Sequence, residues 1–210
     1  AIRDVALMGD EARPRDLDLV VVGLNFDDLP GFLGEHIVRR TSFGGLKLKL
    51  DDSWVDLWRL EDTWAFREKL IEPSPENLPS TTFLSSQAIA AEIQGLEVKH
   101  IFESGFTSSL RRRVLEPNLP ENPFPALSII RAIVIARKLR FSLSASLSDH
   151  LHSFLEHCRS EEIEAAQEKH YGEQLLDVED IRHQIDLLSS DFEDTVPEQT
   201  ADKIAAGSGI

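Results

Sequence analysis

Two aspartates one residue apart, Asp16 and Asp18, stand at the mouth of an apolar run, Leu17 to Val22, that has the length of a β-strand. Like charges at that spacing repel, so something must neutralise them or they must lie in water. A third aspartate, Asp56, sits within "SWVDLWRL" with apolar or aromatic neighbours on both sides, in a setting that disfavours a lone aspartate. Alternation puts Val55 and Leu57 on one face of that strand and Trp54, Asp56 and Trp58 on the other. Beside the Leu17–Val22 strand, Asp56 would join Asp16 and Asp18 at one sheet edge. Three converging carboxylates repel until a divalent cation, magnesium or manganese, neutralises them. Two such ions can hold a triphosphate and activate an attacking hydroxyl. An isolated Asp-x-Asp also reads as a turn, with Asp16 capping the loop and Asp18 in solvent.

The elements that must position these acids are legible in part. Ile2, Val5, Ala6 and Leu7 predict a short amphipathic helix ending near Gly9. "DDLPGFLGEHIVRR" reads as a short helix, a turn and a return strand. "GGLKLKL" alternates apolar and basic residues, as a half-buried strand does, and "DDS" turns the chain into "WVDLWRL" as its hairpin partner. "EDTWAFREKLI" reads as a helix with its acids in the first turn. Pro73, Pro75 and Pro79 mark a loop. "SSQAIAAEIQG" reads as a helix closed by Gly95, and "EVKHIF" as one more strand. From Phe124 onward the pattern is helical, roughly over 125–140, 146–158, 160–171 and 178–190. The fold class expected is α+β: a mixed sheet backed by helices over residues 1–121, a helical neck over 122–158 and an acidic helical tail over 159–210.

At 210 residues, 41% hydrophobic and 28% charged, the chain can bury a sizeable core. No apolar stretch approaches the roughly eighteen residues of a membrane span, so no membrane partner is expected. The single cysteine, Cys158, excludes an internal disulfide and a cysteine zinc site; a reducing cytoplasm fits. The net charge of −15 is uneven: Asp149 to Ile210 holds sixteen acids and four Lys/Arg, whereas residues 99–140 hold eight Lys/Arg and three acids. The acidic total opposes nonspecific nucleic-acid binding, and the basic belt leaves room for a phosphate-bearing partner.

The order of these motifs resembles the nucleotidyltransferase superfamily of DNA polymerase beta, and within it the head and neck of bacterial CCA-adding enzymes and poly(A) polymerases. Those begin with Gly-Gly-x-x-Arg-Asp, followed by Arg-Asp-x-Asp-Leu on a strand. "AIRD" (Ala1–Asp4) and "RDLDLVV" (Arg15–Val21) stand in that order here. "FGGLKLKLDDSWVDLWRL" is similar to the hairpin bearing the third acid. "IFESGFTSSLRRRVLEP" is similar to a strand leading into a short helix and an Arg-rich turn. "SIIRAIVIARKLRFSLS" is similar to the first neck helix, around Arg131–Ala132. The resemblance covers roughly residues 1–150. It implies that Asp16, Asp18 and Asp56 hold the metal ions, that Asp56 serves as base for the incoming hydroxyl, and that Arg3 and Arg131 meet the nucleotide. It implies in-line transfer of a nucleoside monophosphate from ATP or CTP to a hydroxyl, such as an RNA 3′ end, with release of pyrophosphate.

The chain also departs from that pattern. The family's paired glycines would stand ahead of Ala1. "STTFLSSQA" replaces its Arg-Arg-Asp segment, Ser128 stands for a neck arginine, and "VEDIR" (Val178–Arg182) has its arginine one place too early for Glu-Asp-x-x-Arg. Two further readings stay open: nucleotidyl transfer to a protein or small molecule, and a catalytically weak nucleotide- or RNA-binding module. Arg111, Arg112 and Arg113 suit either phosphate contacts or an exposed helix end. His100, His150, His152 and His157 lack zinc-helix spacing. Trp54, Trp58 and Trp64 suit either base stacking or a place between sheet and helix. The acidic helices of 160–194 suit a solvated bundle or a partner surface, and Gly207–Ser208–Gly209 suits a flexible tail.

Overall fold

The structure, a computed structural model, describes residues 2–190 apart from Arg13, Arg15 and Ser42. Ala1 and Arg15 of the two motifs, the end of the acidic tail and Gly207–Ser208–Gly209 lie outside the described residues. Two compact units divide the rest. The described residues of Ala1–Thr81 and Ile89–Glu103 form one; those of Thr82–Ala88 and Ser104–Ile210 form the other.

The first unit runs α1 (Ile2–Met8), β1 (Asp16–Val21), α2 (Leu29–Leu33), β2 (Ile37–Arg40), β3 (Leu46–Leu50), β4 (Ser53–Arg59), α3 (Trp64–Arg67), β5 (Ile89–Gln94) and β6 (Glu97–Glu103). β1 to β4 make a mixed sheet in the order β1-β4-β3-β2, with β1 parallel to β4 and the other pairs antiparallel. Period-two alternation decides its faces. Leu46, Leu48, Val55 and Leu57 are buried with Phe26, and Val21, Leu29, Leu33 and Ile37 pack against them, so α2 and the turn before it back the sheet. The opposite face carries Asp16, Asp18, Lys47, Lys49 and Asp56, together with Trp54 and Trp58.

Gly45, just ahead of β3, stands under a steric constraint. A Cβ there would lie 2.9 Å from the Leu57 carbonyl oxygen and 3.1 Å from the Trp58 Cβ. Gly45→Ala is therefore expected to lower stability by about 1–3 kcal/mol, the usual cost of forcing atoms into a filled site. A urea midpoint equal to that of the wild type would show that the turn gives way.

Two stretches differ from the sequence expectation. Residues 85–95 do not form a helix closed by Gly95. A 3-10 turn at Ser85–Gln87 leads into β5, and Gly95, at φ +64°, turns the chain into β6. Alanine and glutamine favour a helix locally, but Ile89, Ala91 and Ile93 also alternate, and pairing with Glu97–Glu103 decides the outcome. Nor is "EDTWAFREKLI" one helix. It holds a 3-10 turn at Leu60–Asp62 and the single turn α3, and the chain leaves helical geometry at Lys69, φ +57°. Asp62 is drawn back to Arg59, at 2.7 Å and 3.0 Å, and Thr63 Oγ1 accepts from Trp58 Nε1 at 3.0 Å. Both side chains thus serve the preceding strand.

The second unit contains α4 (Phe106–Arg112), β7 (Val114–Leu115), α5 (Pro125–Leu139), β8 (Ser142–Leu143), α6 (Ala145–His157), α7 (Ser160–Tyr171) and α8 (Ile181–Ser190). α5 is its spine. Leu127, Ile129, Ile130, Ala132, Ile133 and Ala136 are buried, and α6, α7 and α8 pack around them. Ser144 caps α6 by accepting from the Leu147 N–H at 3.2 Å. Fully buried Gln167 on α7 secures the link to α8: Oε1 accepts from the N–H groups of Leu175 and Leu176, and Nε2 donates to the Leu176 carbonyl. The short strands β7 and β8 pair in parallel, so β8 interrupts the helical pattern expected from Phe124 onward.

Candidate functional site

Parallel pairing of β1 with β4 sets Asp16 opposite Trp54, Asp18 opposite Asp56 and Val20 opposite Trp58. Register partners share a face, so the three aspartates lie on the side of the sheet away from the apolar cluster. That answers why carboxylates open an apolar strand: Leu17, Leu19 and Val21 alternate to the other side. Asp16 and Asp56 are half-buried and Asp18 is exposed.

Antiparallel pairing extends the same row. Lys47 of β3 faces Asp56, and Arg39 of β2 faces Lys47. The polar face thus reads, strand by strand, Asp18, Asp56, Lys47, Arg39. Lys47 Nζ donates to Asp56 Oδ2 at 2.9 Å, with the two side chains 22% and 28% exposed. It also lies 5.5 Å from the Trp54 ring centroid, while Lys49 Nζ lies 4.9 Å from the same ring, within cation–π range. Lys47 was not singled out from the sequence. The signal was present: in "LKLKL" the lysines alternate with core leucines, which puts them on the Asp56 face once the Asp51–Asp52 turn folds the hairpin.

The donor set suits a hard divalent cation in part. Carboxylate oxygens are the ligands magnesium and manganese take, and Asp16 and Asp18 supply them from one strand face. Asp56 is already neutralised by Lys47. Among the described residues no group of three or more His, Cys, Asp or Glu side chains is arranged to hold a metal ion.

The remaining candidates lie elsewhere. Arg3 on α1 grips its neighbour Asp4, with Nε and Nη2 donating to Oδ1 at 3.0 Å and 2.8 Å. Arg131 is exposed on α5 in the second unit. Burial first, and then the nearby positive charge of Arg131, hold His170 of α7 below the usual histidine range. Arg112 bridges to Glu116 at 3.0 Å. Arg182 of "VEDIR" donates to His152 Nδ1 at 3.3 Å, and His152 Nε2 meets Asp186 at 2.9 Å, so that arginine is tied between α6 and α8. Burial pushes the Cys158 thiol up, away from the thiolate a nucleophile needs.

No known family profile matches the sequence, and no curated protein matches it. Solved structures do. One is a tRNA nucleotidyltransferase complexed with a primer tRNA and an incoming ATP analogue, at 19% identity and TM-score 0.61, covering 91% of this chain and 55% of that one. Another is a CCA-adding enzyme in complex with ATP, at 17% identity and TM-score 0.60, covering 89% of this chain and 44% of that one. A third is an apo tRNA-processing enzyme, at 19% identity and TM-score 0.59, covering 98% of this chain and 55% of that one. The chain therefore has the α+β fold of these structures and spans about half the length of the chains it matches.

Proposed function

We propose that the chain is the head and neck of a metal-dependent nucleotidyltransferase that moves a nucleoside monophosphate from ATP or CTP to a hydroxyl, with an RNA 3′ end as acceptor. The observation that carries this reading is the register: Asp18 beside Asp56, with Asp16 two residues earlier on the same face. The shared fold supports it, since the solved relatives are a tRNA nucleotidyltransferase with primer tRNA and an ATP analogue and a CCA-adding enzyme with ATP.

Asp16 and Asp18 would hold the metal. Magnesium or manganese bound there would supply charge neutralisation for the triphosphate and make the hydroxyl easier to deprotonate. Lys47 holds Asp56 Oδ2, so Oδ1 is the oxygen that takes the proton of the attacking hydroxyl. The hydroxyl oxygen bonds to the α-phosphorus, the bond from that phosphorus to the bridging oxygen breaks, and pyrophosphate leaves. Arg3 reaches a triphosphate only when its pair with Asp4 opens. The resemblance also implies a nucleotide contact for Arg131, exposed on α5. Arg131→Ala is expected to weaken binding of a fluorescent ATP analogue severalfold with helicity unchanged; equal affinity would remove Arg131 from the site. The single cysteine suits a cytoplasmic setting.

The Lys47–Asp56 pair also favours a second reading, a nucleotide-binding module with weak catalysis. Both are tested by incubating the protein with each α-labelled NTP, magnesium, and either tRNA or total cell protein. Metal-dependent label on tRNA supports the first reading. Label on protein moves the acceptor to a polypeptide, and nucleotide binding without transfer supports the module.

A further inference from the structure

The polar face of the sheet carries a built-in cation. Lys47 and Asp56 are cross-strand partners on an antiparallel pair, so backbone register brings the ammonium to the carboxylate. The contact is 2.9 Å long and mostly screened from solvent, which makes it firmer than a pair of surface side chains. The Trp54 ring sits beside it, and Lys49 approaches the same ring. Arg39 adds a further positive charge as the register partner of Lys47 on β2.

We propose that the ammonium of Lys47 takes the place of one of two cations in this site, so that the chain binds a single divalent ion, at Asp16 and Asp18. The inference rests on the reading of Asp16 and Asp18 as metal ligands. A second divalent ion on Asp56 would have to share its carboxylate with Lys47, and two cations at that spacing repel. Neutralisation of Asp56 by Lys47 also removes the acid–acid repulsion that draws a second ion to a cluster of three carboxylates. The positive half of the row, Lys47 and Arg39, then lies next to the metal-bearing half, where the phosphates of a nucleotide gain fixed positive partners.

The test is a count of bound manganese. The ion alone is titrated into the full chain and into Lys47→Met, and the bound fraction is followed by its electron paramagnetic resonance signal. The wild type is expected to bind one manganese per chain with a magnetically isolated spectrum, and Lys47→Met two with a spin-coupled spectrum. Lys47→Gln, which keeps a polar chain, serves if the methionine variant fails to fold; circular dichroism reports folding. Two ions in the wild type overturn the inference while leaving the metal reading intact. One ion in both wild type and variant does the same, since Lys47 is then not what excludes the second. No manganese on any folded protein overturns the metal reading itself, and the inference with it.

Discussion

Asp18→Asn will lower nucleotidyl transfer by about a thousandfold. A metal ion at a phosphoryl centre stabilises the charge of the transition state by several kcal/mol, and each 1.36 kcal/mol is about tenfold in rate. Loss of the ligand should remove most of that stabilisation. The fold should not suffer: Asp18 is exposed on β1 and contributes nothing to the apolar cluster below the sheet. Single-turnover transfer from a labelled NTP, with circular dichroism alongside, measures both effects. An unchanged rate would take the chemistry away from this face.

Ile133→Ala will cost about 2–5 kcal/mol of stability, the range for emptying a large aliphatic side chain from a core. Ile133 is fully buried on α5, among Ile129, Ile130 and Ala136, and α6, α7 and α8 all pack against that helix. A domain is stable by about 5–15 kcal/mol, so a sizeable share of the total is at stake. Urea unfolding should show a lower midpoint at an unchanged slope. Arg131, two residues earlier and exposed, provides the contrast: its removal should shift stability by less than about 0.5 kcal/mol. A midpoint for Ile133→Ala near that of the wild type would mean that the helices close over the cavity.

The strands that carry the site were legible because each had one dry face. Leu46 and Leu48 alternate with Lys47 and Lys49, and Val55 and Leu57 with Asp56, so period two stood out and Asp56 was marked by its company. The helices α5 to α8 were legible from their apolar stripes. β5 was not: Ile89–Gln94 contains alanine and glutamine, and only the pairing with β6 separates strand from helix. α3 was overextended because Arg59 and Trp58 claim Asp62 and Thr63, contacts that no periodicity encodes. Gln167 was invisible for a similar reason. It is a polar residue on a polar helix, and its burial depends on a loop that returns eight residues later. Lys47 shows the limit most clearly. Alternation fixed its face, but its partner followed only from the register of β3 against β4, which tertiary structure sets.

The central claim, that Asp16 and Asp18 together hold a metal ion for a nucleoside triphosphate, is tested most directly by thermal unfolding of the wild type and Asp18→Asn. Each is melted alone, with manganese, and with manganese plus a non-hydrolysable ATP analogue. Ligand that binds only the native state adds about 2.7 kcal/mol at a hundredfold excess over its dissociation constant, a shift of several degrees for a domain of this size. The account predicts that shift for the wild type with metal and analogue, and none for Asp18→Asn. Equal shifts in the two proteins would contradict it.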